Sequence, residues 1–187
     1  MNRKLSKLSY FLALIVTLAL LFQVGHFLEH LAQFSVWIFG PKDSMFMSSW
    51  AISLVEWLAS FFTNADPLQA KRIGVELLHF IGNFIFLIGI SAYFYFNKSK
   101  SVKIAFWVQL IHVLEHTLLT VSILTVGVPL GISTLFGLQT SVRFFIGYRI
   151  IWHFIINLIP SFYIVKAFLE QKRAGRILQS IRNKVQK

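Results

Sequence analysis

Four stretches of the chain are apolar for long enough to cross a bilayer, which takes about 20 residues of α-helix. The first runs from about Tyr10 to Phe39 and closes at Gly40-Pro41. The second runs from Pro67 to Tyr95 or Phe96, the third from about Val102 to Val126, and the fourth from about Thr140 to Leu169. Their boundaries carry ordinary helix signals. Asp66-Pro67 supplies an N-cap followed by proline at the first helical position, and Gly127 to Gly137 is a Gly/Pro-punctuated connection. Ser48 to Phe62 is also apolar, with Trp50 and Trp57, but too short to span. It reads as an interfacial or re-entrant helix. The pattern predicts an all-α integral membrane protein, a single domain over residues 1–187 built as a four-transmembrane-helix bundle.

Polar residues interrupt each span at helical spacing. The first helix carries Gln23, His26, Glu29 and His30, and the third repeats the pattern as Gln109, His112, Glu115 and His116. Both read Q-x-x-H-x-x-E-H, which places the four side chains on one helical face. The second helix carries Glu76, His79 and Asn83; the fourth carries Arg149, His153 and Asn157. His79-Phe80-Ile81-x-Asn83 matches His153-Phe154-Ile155-x-Asn157 in the same order. The chain therefore reads as two tandem helical hairpins, about 10–97 and 102–169, in a parallel internal repeat. The match departs where Ile150 stands at the counterpart of Glu76.

Composition agrees. The chain is 56% hydrophobic and only 13% charged, with a mean hydropathy of +0.68. With no cysteine, disulfides, iron–sulfur clusters and thiolate zinc sites are excluded. The net charge of +11 does not point to nucleic acid, because most basic residues flank the apolar segments. Arg3, Lys4 and Lys7 precede the first span, and Lys98, Lys100 and Lys103 lie between the second and third. That bias predicts cytoplasmic N- and C-termini. The tail 170–187 is basic, with Ile177, Leu178, Ile181 and Val185 at helical spacing. It is expected to lie as an amphipathic helix on anionic lipid.

All six histidines fall in the four polar stripes. The helical rise puts His26, His79, His116 and His153 in one layer, roughly 20–26 Å from the cytoplasmic helix ends. His30 and Glu76 are expected a turn further out, and His112 a turn further in. Ionisable residues at this depth must face a partner, a cavity or an ion. A layer of ligands from four helices is how bundles build metal sites. The expected ligands are His26, Glu29, His30, Glu76, His79, His112, Glu115, His116 and His153. Gln23, Asn83, Gln109, Arg149 and Asn157 are expected to orient them.

Iron, copper or zinc fits these donors, and their number suits two ions. The function that follows is a non-haem iron or copper oxidoreductase or a subunit of one, with no catalytic residue assigned. Metal handling or transport is the alternative, Met45 and Met47 being weak copper contacts. Bis-His haem b ranks third. Without metal, the same groups make a polar network or a proton relay through Glu29, Glu76 and Glu115. Four spans are few for a transporter, so a homo-oligomer or a larger membrane complex is expected.

Overall fold

The computed structural model describes residues 3–40, 46–135 and 142–185, of which the side chains of 3–7, 9, 142–145 and 175–185 lie outside the description. Among the described residues all regular structure is helical: α1 (Arg3–Phe39), α2 (Ser49–Ala59), α3 (Pro67–Phe96), α4 (Lys100–Val126), a 3-10 turn (Ile132–Thr134) and α5 (Val142–Val185). Four segments are long and apolar enough to cross a membrane: Tyr10–Phe39, Pro67–Phe96, Lys100–Val126 and Ile146–Ala174. The chain is a multi-pass membrane protein. Its outward faces carry large apolar side chains such as Phe11, Leu21, Leu118 and Phe162, as a lipid solvent requires.

The helix ends are set locally. Asp66 accepts from the backbone N–H groups of Leu68 and Gln69 at 3.0 and 3.1 Å, and Pro67 takes the first helical position. Ser48 and Ser99 cap α2 and α4. Gly127, with φ of 76°, ends α4 in the left-handed conformation that glycine adopts without penalty. The basic tail does not start a new helix; α5 continues unbroken to Val185. The segment after Leu169 is rich in Lys, Arg and Gln, which sustain helix, and holds no proline. The apolar face expected at Ile177, Leu178, Ile181 and Val185 lies outside the described side chains, as do Arg3, Lys4, Lys7 and Met45.

Packing divides the bundle into two zones. Near the α3–α4 connection Val16, Phe86, Ile90, Tyr93, Val102, Ala105, Ile164 and Ala167 form a purely apolar core. Beyond its rim Tyr93 Oη donates to Gln171 at 3.0 Å and Ser101 Oγ to Glu170 at 3.1 Å. Toward α2 the interior turns polar. There Gln69 Nε2 donates to the Gly127 carbonyl at 3.1 Å and ties α3 to the end of α4. Small residues allow the close crossings. A Cβ on Gly89 would collide with Ala19 of α1, and one on Gly74 would meet the Val55 carbonyl of α2. Phe154 of α5 stacks on Phe27 and Phe34 of α1.

Gly89→Val is expected to push α1 from α3 and to cost about 1–3 kcal/mol. Gly25→Ala, where nothing lies within 4 Å of the new Cβ, is expected to be neutral or mildly stabilising. Thermal melts of the two variants in the same detergent check the contrast.

Candidate metal centre

The repeated stripe puts histidines four residues apart on α1 and again on α4. One turn of helix separates such side chains by about 6 Å along the axis, and imidazoles can lean across that gap. They do so in both places. His26 and His30 approach Nε2 to Nε2 at 3.2 Å, and His112 and His116 at 3.1 Å. His79 from α3 and His153 from α5 enter the same space. Their ring centroids lie 5.7 Å apart. His79 stands 5.4 Å from both His30 and His116, and His153 stands 5.8 and 5.1 Å from the same two rings. The cluster thus holds all six histidines, not four. His112, expected a turn deeper, is drawn in by its tilt toward His116. Except for half-buried His79, every one is buried.

The distances come in pairs. His26–His79 and His112–His153 are 5.9 and 6.0 Å between centroids; His26–His30 and His112–His116 are 4.6 and 4.8 Å. Hydrogen bonds pair in the same way. His79 Nδ1 donates to the Val75 carbonyl and His153 Nδ1 to the Arg149 carbonyl, each at 2.8 Å. A carbonyl only accepts, so each ring carries its proton on Nδ1 and turns the Nε2 lone pair inward. Nε2 of His153 is buried with no hydrogen-bond partner.

That arrangement suits a cation. One ligand nitrogen from each of His112, His116 and His153 lies within 4.8 Å of the other two. Metal–imidazole bonds of about 2.0–2.1 Å at tetrahedral angles place neighbouring nitrogens about 3.3–3.4 Å apart. The 3.1–3.2 Å pairs are close to that spacing. The buried three-histidine group can hold a metal ion.

The amides act one step further back than the sequence suggested. Asn83 and Asn157 donate to the carbonyls of His79 and His153 at 2.9 and 2.8 Å. Gln109 donates to Asn83 Oδ1 at 3.0 Å, and Gln23 to Asn157 Oδ1 at 3.3 Å. They fix helix against helix, while backbone carbonyls fix the tautomers of His79 and His153. Gln33, which the sequence reading passed over, sits 3.0 Å from His30 Nδ1. Its signal was present, because Gln23, His26, His30 and Gln33 continue one face at i, i+3, i+7 and i+10.

The carboxylates separate into two kinds. Glu29 Oε1 accepts from the Ser48 N–H at 2.8 Å, and Glu115 Oε1 from the Ser133 N–H at 2.7 Å. Glu115 Oε2 also accepts from the Trp152 indole at 2.6 Å. Both therefore anchor the connections that cover the cluster. Glu76 stays inside. Arg149 Nη2 donates to its Oε1 at 2.7 Å, and its Oε2 lies 3.9 Å from His116 Nδ1.

Residues 2–186 match the sequence profile described as "Family of unknown function (DUF6008)". No curated protein and no solved structure matches the chain.

A hydrogen bond to a charged acceptor contributes about 1.5–3 kcal/mol. Glu29→Ala should therefore speed amide exchange at Ser48, and Glu115→Ala at Ser133, by roughly 10- to 100-fold. Hydrogen–deuterium exchange in detergent reads both. Unchanged exchange would show that other contacts hold these connections.

Proposed function

The chain belongs to that family, and from this premise we propose that it is a membrane-embedded metalloprotein with a dinuclear, all-imidazole centre, acting as a copper oxidoreductase or as the redox subunit of one. The observation that carries this reading is the convergence of His112, His116 and His153 with mutually close nitrogens in a buried site. His26, His30 and His79 form the matching set, with each of their ring spacings within 0.3 Å of its counterpart. The matched spacings support two tandem hairpins about a pseudo-two-fold axis, which passes between His79 and His153. The basic flanks support cytoplasmic termini and, with them, a cluster in the extracytoplasmic half of the bilayer.

Donor chemistry supports copper over iron. Imidazole suits copper, zinc and iron alike, but manganese and the di-iron centres of helical bundles also draw on carboxylates. Here Glu29 and Glu115 serve backbone amides and Glu76 serves Arg149. Three protein ligands per ion leave an open coordination position, the mark of a reactive site rather than a structural one. The rings pack at 4.6–6.0 Å, which leaves no slab for a porphyrin between them and weighs against haem. A lipid-soluble substrate is supported by an apolar cavity of about 430 Å³ between α1 and α5. Phe27, Phe162 and Phe168 line it, and Gln23 stands in its wall, one turn from His26.

Elemental analysis with a visible spectrum tests the reading. About two copper ions per chain are expected, about one in His153→Ala or His79→Ala, and none in the double variant. Wild-type copper content in His153→Ala sinks the site. Stoichiometric zinc without visible absorption would turn the function toward metal handling. Loss of all metal after add-back would leave a hydrogen-bonded polar network.

A further inference from the structure

Imidazoles ligate as neutral groups, so six of them bring no negative charge to a metal centre. The nearby carboxylates are committed. Glu29 and Glu115 accept from backbone amides, and Glu76 is balanced by Arg149 at 2.7 Å. Divalent ions held by these rings would leave uncompensated positive charge in a lipid-surrounded interior, where unpaired charge is costly.

Beside the rings lies a cavity of about 40 Å³, walled by His30, Gln33, His79, Arg149 and His153. The volume has room for roughly one to three non-hydrogen atoms. His30 and His79 come from one three-ring set and His153 from the other. Val75 and Ile150 complete the wall. Among the described residues the cationic side chain in the wall is Arg149, which is 11% exposed.

We propose that this cavity binds a small monovalent anion as an exogenous ligand of the metal centre, held electrostatically by Arg149. The inference rests on the dinuclear reading above, because the metal charge creates the demand. The ligand class is set by charge and size: hydroxide, halide, cyanide or azide fits, and acetate or a larger carboxylate does not. The anion occupies the open coordination position and is exchangeable, which makes the cavity the entry point for a small anionic co-substrate or inhibitor.

The test uses the full chain purified in detergent, loaded with Cu(II) and assayed for copper content before titration with sodium azide. A saturable azide-to-copper charge-transfer band is expected, and acetate, with one more non-hydrogen atom than azide, should neither produce nor displace it. Arg149→Met should weaken azide binding, measured per copper bound, by at least about tenfold, and Arg149→Lys should restore part of the affinity. Arg149→Met leaves Glu76 buried without its cation, so Arg149→Met/Glu76→Gln is the companion that keeps the interior neutral. A copper-loaded protein without the azide band overturns the proposal. So does a double variant that binds azide as tightly as wild type, or acetate that binds as tightly as azide. Those three results leave the metal reading standing. A chain that retains no copper overturns both.

Discussion

A polar side chain inside a membrane bundle has no water to fall back on, and that constraint arranges this protein. Each histidine, amide and carboxylate in the spans must find its partner within the protein or in a bound ion. The solution is to gather them. The half of the bundle near the α3–α4 connection is apolar and closely packed around Phe86, Ile90 and Ala105. The half nearer α2 concentrates the polar groups in one contiguous cluster, with Asn83 and Asn157 buried among the helices at its inner edge. Small residues at the α1–α3 and α2–α3 crossings bring the backbones close, as in membrane packing generally.

The connections answer the same constraint. An irregular segment at the end of a span exposes backbone N–H groups that lipid cannot satisfy. Glu29 and Glu115, each next to a clustered histidine, reach out to Ser48 and Ser133 and accept those donors. The side chain preceding His30 and His116 thus closes the cover over the rings. Loop order and ring position are physically coupled, because consecutive residues on one helix serve both.

Not every contact in the cluster comes in a pair. Arg149 and Glu76 form a buried ion pair against His116. In the proposed alignment of the two hairpins, Val75 and Ile150 stand at the positions that match them. Two otherwise similar three-ring sets therefore feel different local fields.

Much of this was legible in the chain itself. Length and apolarity determined four spanning helices, and Asp66-Pro67 and Gly127 marked their ends. Helical spacing determined that Gln, His, Glu and His share a face on α1 and again on α4, because the 3.6-residue turn is a local property of the backbone. The tertiary structure decided which members of each face meet. The tilt that brings His112 level with His116, the carbonyls of Val75 and Arg149 that set two imidazole tautomers, and the turn of Glu29 and Glu115 toward Ser48 and Ser133 all depend on distances of a few ångströms between segments far apart in sequence. Rise per residue cannot resolve these distances. Gln33 was visible in the pattern, but its role required His30 Nδ1 to be placed first. The continuity of α5 past Leu169 was likewise a matter of backbone hydrogen bonding, where strong helix formers outweighed the change from apolar to basic side chains.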